Sequence, residues 1–125
     1  MPVELNHTIV VARDRRESAE FLADILGLSV GTPTGPFLPV STGNGVILDF
    51  ATSDEPAIAA QHYAFLVSEP EFNAIFDRIR RADVDYWADP GRRQPGEIYH
   101  RGGGRGVYFL DPSGHFLEIL TPTGG

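Results

Sequence analysis

The 125-residue chain has no cysteine. That absence removes disulfides, thiolate metal ligands and a thiolate nucleophile together. It fits a reducing compartment, so a cytoplasmic location is the expectation. Long apolar runs are also missing. Although 42% of the residues are hydrophobic, no run approaches the roughly 20 residues of a membrane-spanning helix. The opening Met1-Pro2-Val3-Glu4-Leu5-Asn6-His7 has no basic region leading into an apolar one, so no export signal is expected. Positive charge is scarce as well. Ten basic residues against 17 acidic ones give a formal net charge of −7, which argues against general affinity for nucleic acid or a membrane surface. Histidine occurs only at positions 7, 62, 100 and 115. The length suits one domain, residues 1–125, and a small molecule is the expected partner.

What is present is organised around the last stretch, Gly106 to Thr121. An apolar run leads into Asp111-Pro112-Ser113-Gly114, where Pro presets φ and Gly accepts positive φ, and a second apolar run returns. The unit reads as a β-hairpin. On its returning strand, alternation puts Phe116, Glu118 and Leu120 on one face and His115, Leu117 and Ile119 on the other. A carboxylate between Phe and Leu is costly unless paired or bound to a metal. Glu118 therefore demands a partner, and His115 faces away from it.

The earlier sequence predicts a strand over 3–11, with Leu5, His7, Ile9 and Val11 on one face. Asp14 and Glu17 then offer a capping-box-like helix start. Phe21, Leu22, Ile25 and Leu26 form its apolar stripe, and Gly27 is placed to end it. Residues 31–39 read as irregular or edge strand, Thr42-Gly43-Asn44-Gly45 as a turn, and 46–52 as a strand. A polar linker near 53–56 follows. The pattern then recurs: a strand over 61–67, and a helix capped by Ser68 and Glu71 with Pro70 in its first turn. That helix carries a Phe72, Ile75, Phe76 and Ile79 stripe. A short strand over 84–87 leads into a long Gly/Arg loop over 89–105, and the closing hairpin ends the chain.

The two halves align at their key points. Leu5-Asn6-His7-Thr8 matches Ala60-Gln61-His62-Tyr63, and Asn44-Gly45-Val46-Ile47-Leu48-Asp49 matches Ser113-Gly114-His115-Phe116-Leu117-Glu118. Each half is β-α-β-β-β, with a His on its first strand and a carboxylate on its last. The expected architecture is α+β: two βαβββ modules, about 1–55 and 56–125, related by an internal pseudo-twofold repeat. Four side chains then occupy equivalent positions, namely His7, Asp49, His62 and Glu118. Two imidazoles and a carboxylate make a facial triad that leaves positions open on a divalent metal. His7, His62 and Glu118 are the expected metal ligands. Asp49, one methylene shorter, is the candidate fourth or outer ligand.

On Leu5-Asn6-His7, Gln61-His62-Tyr63-Ala64-Phe65 and Asp111-Pro112-Ser113-Gly114-His115-Phe116-Leu117-Glu118, nearly the whole chain resembles the vicinal oxygen chelate superfamily. That superfamily holds glyoxalase I, type I extradiol dioxygenases, fosfomycin-resistance enzymes and bleomycin-binding proteins. The resemblance implies paired βαβββ modules in an open, cupped mixed sheet around a divalent metal. It also implies a homodimer, with His7 from one subunit and His62 with Glu118 from the other.

A further run, Ile98-Tyr99-His100, then Val107-Tyr108, Asp111-Pro112-Ser113-Gly114 and Glu118, looks like the extradiol signature. By that resemblance His100 is an acid/base group, Tyr108 hydrogen-bonds a substrate oxygen, and Glu118 ligates Fe2+ or Mn2+. The implied reaction is oxygen chemistry on a catechol-like substrate. No histidine remains for the additional active-site His of larger dioxygenases. A glyoxalase I-like isomerase or lyase with Ni2+ or Zn2+ would need Asp49 as a carboxylate ligand. The fosfomycin-transferase pattern expects Thr where this chain has Ile9. A drug-sequestering protein would have no use for an intact His/His/Glu set. Arg92, Arg93, Arg101 and Arg105 read as a solvated cluster offsetting the acidic remainder, or as a place where one arginine meets an anionic substrate. Tyr86, Trp87 and Tyr99 are candidate lining aromatics.

Overall fold

A computed structural model describes residues 2–124, and the chain divides into two compact units, with the boundary between Ile58 and Ala59. In the first unit, β1 (His7–Ala12) leads to α1 (Arg15–Leu26), β2 (Phe37–Ser41) and β3 (Ile47–Thr52). The sheet order is β1-β3-β2, with β1 parallel and β2 antiparallel to β3. Asp14 starts α1 by accepting hydrogen bonds from the Arg16 and Glu17 amides at 2.9 and 3.1 Å. Gly27 ends it in the left-handed region at φ 74°, a conformation that glycine adopts without a Cβ penalty. Leu22 and Ile25 of α1 are buried with Val10, Ala12, Leu38, Val40, Leu48 and Phe50 of the sheet. The expected fourth strand of this half is reduced to isolated bridges, Val30 to Val40 and Thr34 to Phe37. The Gly- and Pro-rich stretch around them has too few amides and side chains to sustain a ladder.

The second unit runs β4 (His62–Leu66), α2 (Glu69–Arg81), β5 (Tyr86–Trp87), β6 (Tyr99–Arg101), β7 (Gly104–Leu110) and β8 (Phe116–Leu120). Its sheet order is β4-β8-β7-β5, with β6 also on β7. Ser68 and Glu71 close the full capping box at the start of α2. Phe72, Ile75 and Ile79 form its buried stripe, and Phe76 meets the Tyr86 ring edge-on at 5.0 Å. Arg105 ties β7 to the helix, donating to Glu69 and Asn73 at 2.9 and 2.6 Å and lying over the Phe72 ring.

The stretch over 89–105, expected as loop, contains β6 and the start of β7. Arg101-Gly102-Gly103-Gly104 makes the tight reversal between them, with Gly102 and Gly103 at positive φ. The run is too polar and too glycine-rich to show strand periodicity. Gly104 must lack a side chain there, because a Cβ would lie 2.8 Å from the Pro122 carbonyl oxygen.

In both units the sequence-final strand pairs in parallel with the first strand and antiparallel with the strand before it. Mixed α+β architecture built as two repeated modules is what the sequence predicted, and the strands form two sheets. The hairpin turn closes as expected. Gly114 has φ 90°, and the Asp111 carboxylate accepts from the Ser113 and His115 amides at 3.0 and 2.8 Å.

Candidate metal centre

Directly paired residues in a sheet point to the same side. Glu118 is paired with Ala64 on β4 and with Tyr108 on β7, while His62 is paired with Phe116. Tyr108 is in turn paired with Trp87, and Tyr99 with Gly106. His62, Trp87, Tyr99, Tyr108, Phe116 and Glu118 therefore share the sheet face that turns away from α2. Tyr63, Val107, Phe109, Leu117 and Ile119 share the other.

Glu118 is 6% exposed, and two partners hold its carboxylate. His62 Nε2 is 2.9 Å from Oε1, and the Tyr99 hydroxyl donates a short hydrogen bond to Oε2. The Tyr108 ring lies 5.7 Å from the His62 ring and 5.8 Å from the Tyr99 ring. Both phenols are held above their ordinary pKa. For Tyr99 burial acts first and the Glu118 hydrogen bond second; for Tyr108 burial acts first and the Glu118 charge second. At working pH both are therefore neutral O–H donors next to a carboxylate.

Tyr99 reaches Glu118 because of Gly106. The ring lies across that glycine, so a Cβ at 106 would fall 2.2 Å from its Cζ and Oη. Sequence reasoning placed Tyr99 only among possible lining aromatics. The signal that singles it out is its pairing opposite a glycine, and pairing cannot be read without the register.

The donor chemistry fits a divalent ion. An imidazole nitrogen and a carboxylate oxygen face each other at 2.9 Å. Two adjacent ligands, each about 2.0–2.2 Å from a metal, stand about 3 Å apart. His62 and Glu118 would hold the ion, with Tyr99 fixing the second carboxylate oxygen.

The other candidates lie elsewhere. His7 is exposed on β1 of the first unit, its Nδ1 2.7 Å from the Asn6 side-chain oxygen. Asp49 on β3 lies two residues along the register from His7, and its carboxylate makes no hydrogen bond or ion pair to another described residue. No group of three or more His, Asp or Glu side chains gathers as a metal site among the described residues. His100 is exposed on β6, paired with Arg105, and strand alternation turns it away from the Tyr99 side. The structure therefore places Tyr99, and not His100, at the carboxylate. His115 is buried on the opposite side from Glu118, where its Nδ1 accepts from the Gln61 amide at 3.0 Å and its ring meets Tyr63.

The model of the Glyoxalase/Bleomycin resistance protein/Dioxygenase superfamily matches residues 4–119. The chain belongs to that superfamily. Within it, the chain is similar to a glutathione transferase FosA from Serratia marcescens, at 30% identity over 92% of this chain and 78% of that protein. Among solved structures it is similar to the oxidase ChaP-H2, at 62% identity and a TM-score of 0.95, covering 100% of this chain and 98% of that one. The oxidase ChaP-H1 is 60% identical with a TM-score of 0.93, covering 99% and 100%. These superfamily relatives are named as enzymes. No helix among the described residues is long and apolar enough to cross a membrane.

Proposed function

We propose that the protein is a divalent-metal-dependent oxidase or dioxygenase acting on a small aromatic substrate with vicinal oxygens. The observation that carries this is the buried Glu118 carboxylate facing His62 Nε2, flanked by two neutral phenols on one open sheet face. The metal would supply Lewis acidity and open positions for two substrate oxygens and O2. Tyr99 holds Glu118 in one orientation, leaving Oε1 as the ligating oxygen. Tyr108, half-buried beside His62, is placed to donate a hydrogen bond to a substrate oxygen. Phe116 and Trp87 supply apolar surface for a ring. The oxidase names of the relatives at 62% and 60% identity favour oxygen chemistry. The transferase similarity at 30% identity supports a second reading, thiol addition, against which Ile9 stands in place of the expected Thr.

His7 completes the ligand set in this proposal, supplied by a second copy of the chain. It sits in an exposed apolar row with Leu5, Ile9 and Val11, the kind of surface that a twofold partner covers. In a heterodimer of His7→Ala with Glu118→Ala chains, one composite site would carry both lesions and the other neither. The mixture should recover up to half a site-equivalent of metal and activity per pair of chains, where both parent homodimers have none. A mixture that stays metal-free despite proven subunit exchange would sink the shared site.

Metal analysis of protein purified without added metal tests the reaction class. Iron or manganese with O2 uptake on catechols is the expected result. Nickel or zinc with turnover of a hemithioacetal would assign a glyoxalase-type isomerase instead. Metal-free protein that binds an aromatic drug tightly would assign sequestration.

A further inference from the structure

All ten basic residues of the chain are arginines, and most are accounted for within the fold. Arg16, Arg80, Arg81 and Arg105 pair with carboxylates, and Arg13 and Arg15 donate to backbone carbonyls. Among the described residues, the Arg92 and Arg101 side chains do neither. The Arg92 guanidinium carbon stands 5.9 Å from the Trp87 ring centroid and 5.8 Å from that of Phe116. That of Arg101 stands 5.4 Å from the Tyr99 ring. All three rings belong to the face that carries His62 and Glu118. Phe116 lies two residues before Glu118 on β8. Tyr99 is paired through Gly106 to Leu120, two residues after it. The two guanidinium groups therefore flank Glu118 along the strand direction, one toward each end.

The loop that presents Arg92 is fixed in shape. The Asp89 carboxylate accepts from the Arg93 and Gln94 amides at 2.9 Å, and the Arg92 amide bonds the Asp89 carbonyl at 3.2 Å. Arg92 itself has φ 58°, a left-handed conformation that is strained for a side-chain-bearing residue. Here the exposed Arg92 side chain sets its guanidinium near two aromatic rings, where the planar donors can meet an anion edge-on.

We infer that this face binds an anionic aromatic substrate, one bearing a carboxylate in addition to its vicinal oxygens, with Arg92 as the principal counter-charge and Arg101 as the second. The inference rests on the Glu118 face being the substrate site. It explains why a chain of net charge −7 keeps, beside its own buried carboxylate, two arginines with no acidic partner among the described residues. A guanidinium and a carboxylate meet through paired charge-assisted hydrogen bonds. The substrate ring would lie along the aromatic surface that already orients the arginine.

The test compares 3,4-dihydroxybenzoate with its near-isosteric neutral counterpart 4-methylcatechol by titration calorimetry on the metal-loaded protein. The carboxylated probe should bind about 10-fold or more tightly, the scale of a hydrogen bond to a charged group. That preference should shrink as salt is raised. Arg92→Met, which keeps an apolar stem over the rings, should remove most of the preference while leaving 4-methylcatechol within about twofold of its original affinity. Adding Arg101→Met should remove the rest, and Arg93→Met should change nothing. Equal affinity for the two probes, no binding of either, or a preference that survives the double variant would overturn the inference. Glu118→Gln separates it from the metal reading. If that variant binds both probes as the unaltered protein does, the metal reading fails, whereas the arginine-dependent difference between probes stands or falls by itself.

Discussion

The two units carry the same device in the same register, and only one of them closes it. His7 stands to Asp49 as His62 stands to Glu118: first strand to last strand, parallel, two residues apart along the pairing. In the second unit the imidazole and the carboxylate are 2.9 Å apart. In the first, His7 turns to its neighbour Asn6 at 2.7 Å, and Asp49 is left without a hydrogen-bonded partner among the described residues. One methylene separates the two carboxylates, but reach is not the whole difference. The second unit also has β6, which delivers Tyr99 to the far oxygen of Glu118. Among its described residues the first unit has no such strand, only the isolated bridges Val30 to Val40 and Thr34 to Phe37. A repeated backbone thus supplies positions, while an added hairpin on one copy fixes the charge.

Breaking the closed copy should have the largest effect. Glu118→Ala and His62→Ala are each expected to abolish stoichiometric metal binding, a loss beyond the roughly 10–100-fold scale of outer-sphere changes, measured by elemental analysis after dialysis. Normal metal content in Glu118→Ala would remove the basis of the proposed function. His115→Ala is the matched control. It should keep its metal and lose about 1–3 kcal/mol of stability, because the Gln61 amide would lose its acceptor.

The next effect comes from the hairpin. Gly106→Ala puts a Cβ where the Tyr99 ring lies, so the phenol must move off Glu118. We expect about 1–3 kcal/mol of destabilisation in a denaturant titration and about 10–100-fold weaker metal binding. Tyr99→Phe should cost about 10-fold in metal affinity by competition with a chelating dye, with little change in unfolding midpoint. The two changes act through one contact, so combining them should weaken metal binding no more than Gly106→Ala alone. Full additivity would show that Tyr99 does not act through Glu118.

The smallest effect belongs to the open copy. Asp49→Ala should leave metal stoichiometry unchanged and stability within about 0.5 kcal/mol. A loss of metal comparable to that of Glu118→Ala would show that Asp49 is a ligand after all and erase the contrast between the units.

Much of this was legible in the chain itself, and the part that was not has one physical source. Asp14, Ser68 and Glu71 announced both helix starts, since capping chemistry is local and needs only residues a few positions apart. Alternation along one strand was enough to put Glu118 and His115 on opposite faces. Tyr99 was harder to place. Strand alternation sets it against its neighbour His100, but which of the two faces the carboxylate depends on β6 pairing with β7 at Gly106, a contact invisible in a stretch that reads as Gly/Arg loop. The signature spacing drew attention to His100 for the same reason, because spacing records order along the chain and not the side of the sheet. Arg92 was visible only as one of four clustered arginines. Its distinction is a backbone conformation and two rings, Trp87 and Phe116, that lie in separate parts of the sequence.

Gly106 sets a condition on how this site can vary. The hollow above it and the ring that fills it form one unit of volume contributed by two strands, so a side chain at 106 and a tyrosine at 99 exclude each other. A related chain with any larger residue at the position of Gly106 must find another donor for its carboxylate or leave that oxygen to a substrate or solvent. Exchanging that one hydrogen atom would change which molecule completes the shell around Glu118. A sequence position with no side chain at all would then mark where one reaction of this fold parts from another.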